Sequence, residues 1–169
     1  PDDMLLRDAK LDHLRSILEP IQVGQPVEGA FIHGPPGTGK THSARLMVSR
    51  LQQAAGQLST THVDCWQHNT TTAIVSELLA ALGVAAPANA AGYELLERLR
   101  ECLESPFVVI LDEADQIEDD RVLYELHSLP RVTPLLIAND YSETLSALDM
   151  RVESRVSGYD PLEFTKYSG

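Results

Sequence analysis

Eight consecutive residues constrain this chain more than anything else in it: Gly34-Pro35-Pro36-Gly37-Thr38-Gly39-Lys40-Thr41. Their spacing, GxxxxGK[ST], is the phosphate-cradling P-loop pattern, and it follows a short apolar run and opens a helix-like segment. Gly34, Gly37 and Gly39 let the backbone wrap closely around phosphates with its N–H groups pointing inward, and the helix N-terminus adds its positive end. Lys40 supplies a point charge for the β- and γ-phosphates, and Thr41 offers a hydroxyl to Mg²⁺. Pro35, Pro36 and Thr38 complete the loop. A Gly/Pro-rich turn that merely precedes a lysine would need neither this spacing nor this setting. The cofactors expected are therefore ATP or ADP with Mg²⁺.

Around that loop, short apolar runs alternate with helix-like segments, which predicts an α/β chain with a parallel sheet between helices. Five strands are expected, at Gly29–His33, Thr61–Asp64, Phe107–Leu111, Pro134–Ala138 and Leu162–Phe164. The run FVVIL at Phe107–Leu111 is β-branched and uninterrupted, as a strand buried on both faces should be. Helices are expected over Leu5–Leu18, where Leu11, Leu14 and Leu18 share a face, and over Lys40–Ala55, with Leu46, Met47 and Leu51 at helical spacing. Thr72–Leu82 and Tyr93–Glu104 read as two more, joined by the uncharged small-residue tract Gly83–Gly92. A short helix is expected within Glu118–Leu129, starting after Asp119 or Asp120.

Three further constellations carry chemistry. Val108-Val109-Ile110-Leu111-Asp112-Glu113-Ala114-Asp115 delivers two carboxylates at the C-terminal end of a buried strand, where α/β folds bind ligands. Asp112 would hold Mg²⁺ through water, and Glu113 would polarise an attacking water without being a metal ligand. Asp115 reads as a helix cap. Asn139, directly after the apolar strand, places a neutral amide where it could orient the lytic water or touch the γ-phosphate; the plainer alternative is a turn-forming Asn. In Leu148-Asp149-Met150-Arg151-Val152-Glu153-Ser154-Arg155, a guanidinium could reach the γ-phosphate of a neighbouring subunit. Arg155 is the better placed and Arg151 the second choice, with surface ion pairing to Glu153 or Asp149 as the alternative.

Composition narrows the class. Hydrophobic residues make up 43% of 169, enough for one globular domain, and no apolar run approaches the ~20 residues of a membrane span. Asp plus Glu number 25 against 13 Lys plus Arg, a formal net charge of −12. Such a surface repels polyphosphate at long range, so generic nucleic-acid binding is not expected of it. It suits very high salt, where screening removes the mutual repulsion of carboxylates; an ordinary acidic protein is the alternative. Cys65 and Cys102 are read as small core residues of a reducing cytoplasm. His13, His33, His42, His62, His68 and His127 lack metal-ligand spacing and are read as fillers, and Trp66 as a packing residue. The chain opens on Pro1 rather than Met, as a fragment or a processed chain would.

GPPGTGKT, VVILDEAD, IAND and LDMRVESR, in this order and spacing, resemble the AAA+ domain of archaeal origin-recognition and cell-division-control type replication initiators. The opening PDDMLLRDAKLDHLRSILEP and the closing LEFTKYS are similar to that family's ends, so the resemblance spans almost the whole chain. It implies a P-loop NTPase, the AAA+ base, with a five-stranded parallel sheet flanked by helices on both faces and an N-terminal segment over 1–28. It implies Lys40 and Thr41 at phosphate and Mg²⁺, Asp112 at Mg²⁺, Glu113 as catalytic carboxylate, Asn139 as the first sensor and Arg155 as the trans-acting finger. Arg7 and Asp8 would lie near the adenine. The implied function is a slow ATPase switch that assembles with other AAA+ subunits on origin DNA. The family's lid and winged-helix domain are not expected in this chain, and Gly83–Gly92, where the family carries a DNA-touching insert, has no Lys or Arg. A clamp-loader-like or transposition-helper ATPase, and a nucleotide-locked assembly module without turnover, remain as alternatives.

Overall fold

The apolar runs become strands and the segments between them become helices. The computed structural model describes residues 2–166, with side chains from Arg7 onward. Pro1 and the Tyr167–Ser168 end of LEFTKYS lie outside the described residues, as do the side chains of Leu5 and Leu6. In chain order come α1 (Asp2–Leu18), β1 (Ala30–His33), α2 (Lys40–Ala55), β2 (Ser59–Asp64), α3 (Thr71–Ala81), α4 (Gly92–Cys102) and β3 (Phe107–Asp112). Then follow α5 (Arg121–His127), β4 (Val132–Ala138), α6 (Tyr141–Ser146), α7 (Met150–Val156) and β5 (Asp160–Glu163). Single 3-10 turns occupy Glu19–Val23 and Ala114–Gln116.

Every strand pairing is parallel, and the five strands lie in the order β2-β3-β4-β1-β5. Side chains alternate between the faces. Phe31, Val109, Leu111 and Leu136 enter one core with Ile74, Leu78, Leu95, Leu99 and Leu126 of α3, α4 and α5. Ile32, Val108, Ile110, Leu135 and Ile137 enter the other with Leu14 and Leu18 of α1 and Met47 and Leu51 of α2. Each such buried side chain contributes about 1.5–3 kcal/mol. Because both faces are covered, Phe107–Leu111 of β3 and Leu135–Ala138 of β4 are apolar at successive positions.

The strand order does the positioning. β1, which feeds the glycine loop, lies between β4 and β5, and β4 separates it from β3. The C-terminal ends of β1, β3 and β4 therefore open on the same edge, where the strand order reverses and such sheets leave a crevice. Pro134 sits within the middle strand although it has no N–H to give. Its carbonyl faces Gly29, where an added Cβ would meet it at 2.6 Å. Pro134 is in register with Val109 of β3, but β1 pairs with β4 only from Leu135 onward, so the missing donor, on the β1 side with the carbonyl, falls before that ladder begins.

Several sequence expectations shift. β1 begins at Ala30, β2 and β4 start two residues early at Ser59 and Val132, and β5 runs Asp160–Glu163 rather than Leu162–Phe164. The helix expected within Glu118–Leu129 is Arg121–His127. Leu11 and Leu46 are only half-buried, and the buried face of α2 is completed by Ala44 and Val48. The sequence pattern predicts neither α6 nor α7. They are six and seven residues long, too short for a periodic signal, and are held by side-chain caps from Asp140 and Asp149. Among the described residues no helix is long and apolar enough to cross a membrane.

Candidate nucleotide site

Residues 34–39 fold as a loop because their glycines adopt conformations closed to other residues. Gly37 and Gly39 have φ of 78° and 85°, in the left-handed region. Gly34 has φ 144°, and a Cβ on it would stand 1.9 Å from the carbonyl oxygen of Phe164, just after β5. Gly39 then caps α2, whose first turn begins with Lys40 and Thr41. The eight-residue motif is thus a turn and a helix start, as its sequence predicts.

Lys40 is 7% exposed, and its ammonium donates to the carbonyls of Gly34 at 2.6 Å and Pro35 at 2.8 Å. Burial pulls its pKa below the usual lysine value, and the Asp112 charge opposes that pull. Thr41 Oγ1 donates to Asp112 Oδ2 at 2.7 Å, joining the start of α2 to the tip of β3 across 71 positions of sequence. That bond brings together two hard oxygens, the donor type a small octahedral cation takes either directly or through its bound waters. His62 of β2 reaches the same oxygen with Nε2, at 2.9 Å. The N–H of Glu113 takes the other, Oδ1, at 3.0 Å. Burial alone would raise the Asp112 carboxyl, but the bonds from His62, Thr41 and Glu113 together with the His62 charge outweigh it, and the group sits below its ordinary range.

Glu113 leaves the strand with φ 54°, a left-handed conformation rare for a residue with a side chain, and its carboxylate is exposed. Partial burial, with Asp64, Asp112 and Asp115 nearby, raises its pKa. Asn139, exposed at the end of β4, is tied to the glycine loop through its backbone, since Gly34 N–H donates to Asn139 O at 3.2 Å. Loop, Asp112, Glu113 and Asn139 line one cavity of about 360 Å³. Arg7 of α1 stands at its edge: a methyl group on Gly39 would lie 3.9 Å from the Arg7 guanidinium. Asp8 is exposed and does not line the cavity.

Some residues fall elsewhere than expected. Asp115 caps nothing; it lies inside the turn Ala114–Gln116, whose N-cap is Glu113, and accepts a bond from Gln116. Trp66 is 63% exposed at the cavity rim rather than packed, because β2 ends at Asp64 and the chain turns outward there. Neither Arg155 nor Arg151 lines the cavity. Arg155 lies over the Tyr124 ring, 5.6 Å from its centroid, and Asp149 caps the N–H of Arg151 instead of pairing with a guanidinium. His62 is the functional candidate that spacing missed. His33 is no isolated filler either: its ring stacks on Tyr141 at 4.9 Å.

The same elements are found in known proteins. The AAA domain family matches residues 29–145, which takes in the glycine loop, both carboxylates and Asn139. The chain belongs to the AAA domain family. Within it, this AAA domain is homologous to the ORC1-type DNA replication protein 1 of Halobacterium salinarum, at 34% identity over 99% of this chain and 55% of the relative. The ORC1-type DNA replication protein 9 of the same organism is 35% identical over 99% of this chain and 48% of its own. The structure of the Aeropyrum pernix ORC1 protein in complex with DNA superimposes with a TM-score of 0.84 at 28% identity, covering 96% of this chain and 46% of that one. This AAA domain spans about half the length of those relatives.

Proposed function

We propose that the chain binds ATP or ADP with Mg²⁺ between loop 34–41 and the tip of β3, and that it hydrolyses ATP as the nucleotide switch of a DNA replication initiator. The 2.7 Å contact between Thr41 Oγ1 and Asp112 Oδ2 carries this reading, because it makes one site of two distant motifs. In the bound state Lys40 leaves the Gly34 and Pro35 carbonyls for the β- and γ-phosphates, while the N–H groups of the loop and of the α2 N-terminus face the phosphate oxygens. Thr41 and, through water, Asp112 would hold Mg²⁺, which would supply charge neutralisation and orientation of the phosphates. Glu113 takes the proton of the attacking water. Its raised pKa moves it toward the working pH, as a general base requires. Asn139 orients that water, and Arg7 and Asp8 approach the adenine side.

Arg155 would act in trans. It stands outside the cavity of its own chain, so a second AAA+ subunit would complete the site. DNA is proposed as a partner of the whole protein, on the strength of similarity to ORC1-type replication proteins. That similarity favours an initiator over a clamp-loader-like or transposition-helper ATPase.

Single-turnover hydrolysis with and without Glu113→Gln tests the enzymatic part. A loss of roughly 10²-fold or more with nucleotide binding retained is expected, the scale of general-base roles. Equal rates would instead support a nucleotide-locked assembly module. Lys40→Ala protein that binds ATP with unchanged affinity would refute the phosphate cradle.

A further inference from the structure

His62 stands behind Asp112: it contacts a carboxylate that lines the cavity but does not line the cavity itself. It lies on β2, in register with Ile110 of β3, and Asp64 of β2 is in register with Asp112. Side chains on a strand alternate, so Ile110 and Asp112 share a face of the sheet. Ile110 packs into the core beneath α2, and His62 points to that same side. Its side chain is 27% exposed, that of Asp112 is 14% exposed, and Nε2 stands 2.9 Å from Oδ2. An ionised carboxylate has no hydrogen to give, so Nε2 is the donor. Oδ2 thus receives two bonds, one from His62 and one from Thr41, and Oδ1 receives the Glu113 N–H.

Each of the three donors fixes a different freedom. Thr41 would turn a lone pair toward a cation while its O–H goes on donating to Asp112, so its direction is shared between the two. The Glu113 N–H belongs to the same turn as Asp112 and moves with it. His62 alone anchors the carboxylate from a separate strand. We infer that His62 is a positioning residue: its Nε2–H holds Asp112 in the rotamer that presents the carboxylate to Mg²⁺. The inference rests on the Mg-nucleotide reading above and adds to it the group that sets the carboxylate's direction. Partners of this kind, bound to a metal-holding carboxylate but not to the metal, are worth about 10–100-fold in metal affinity.

The test is a Mg²⁺ titration of ADP binding, read from a fluorescent ADP analogue, on wild type, His62→Ala and His62→Gln. Gln carries an N–H at nearly the reach of Nε2. His62→Ala should raise the Mg²⁺ concentration at half-effect by about 10-fold or more, leave ADP affinity in EDTA unchanged, and His62→Gln should recover most of the loss. A residue that only supports the fold would lower affinity equally with and without Mg²⁺. That result, or three identical Mg²⁺ curves, overturns the role given to His62 while leaving the Mg-nucleotide reading intact. If His62→Ala does not fold, a His62→Gln curve shifted as far as that of Asp112→Asn overturns it too, and one matching wild type supports it. Wild-type protein that binds no ADP, or binds it indifferently to Mg²⁺, overturns the underlying reading itself.

Discussion

Replacing Gly34 by Ala adds one methyl group at the point where β1 ends, beside the chain leaving β5. That Cβ would lie 1.9 Å from the carbonyl oxygen of Phe164, 2.9 Å from its carbon and 3.3 Å from its Cα. All three are backbone atoms, so no side chain can swing away to relieve the clash. The Phe164 N–H to His33 O bond, 2.7 Å long, holds the two segments together and has to stretch or break. The φ of 144° adds strain of its own. Strained backbone costs about 1–3 kcal/mol, and overpacking typically another 1–3, giving a loss of about 2–6 kcal/mol. A domain of this size loses about 2–4 °C of Tm per kcal/mol, so Gly34→Ala should melt roughly 5–20 °C below wild type. Gly37→Ala is the control: φ is 78°, but nothing lies within 4 Å of the added Cβ. Only the left-handed conformation is then penalised, at about 1–2 kcal/mol. Thermal unfolding followed by circular dichroism compares the two. If Gly34→Ala melts with or above Gly37→Ala, the close approach of the β5 exit to the loop is refuted.

Glu113 has a folded pKa above its ordinary 4.5, so between those values the native state keeps a proton that the unfolded chain releases, and stability falls as pH rises. Glu113→Gln should therefore melt slightly above wild type at pH 7, within the roughly 0.5 kcal/mol of an exposed site, and the gap should close below about pH 4; a variant less stable at pH 7 contradicts this. Cys65 is fully buried, and burial followed by the Asp112 and Asp64 charges pushes its thiol up to about 12. A thiol reagent at pH 8 should modify native protein at Cys102 alone, and immediate reaction of both cysteines would show Cys65 to be open. With a net charge of −12, the unfolding midpoint should rise on adding KCl up to molar levels; a flat profile removes the argument for adaptation to salt. Trp66, the single tryptophan, is exposed on the cavity rim, so its emission should shift on adding Mg-ADP and not on adding Mg²⁺ alone; an unchanged spectrum would place the ligand elsewhere.

What could be read in advance was local. GPPGTGKT specifies a turn and a helix start through the conformations its own glycines allow, so its geometry needs no knowledge of the rest. FVVIL and PLLIA announce buried strands because only a strand covered on both faces tolerates such runs. Asp140 with Glu143 three residues later is also a local signal, a capping pattern that marks the start of α6. Only six residues follow it, too few for an apolar period to reinforce the signal. The outward turn of Trp66 was not legible, since it depends on where β2 stops.

His62 shows most clearly what was missing. Its importance comes from pairing β2 with β3 in the register that matches Asp64 to Asp112. A slip of one residue would send His62 to the opposite face, away from α2 and from Asp112. No spacing within THVD encodes that register; it follows from Val63 and Leu111 burying themselves on the far side, in the core beneath α3. The apolar residues between the polar ones therefore aim the site. Val63 fixes which way His62 and Asp64 face, and Leu111 does the same for Asp112. The polar constellation at the sheet edge is in this sense a consequence of how the two cores fill.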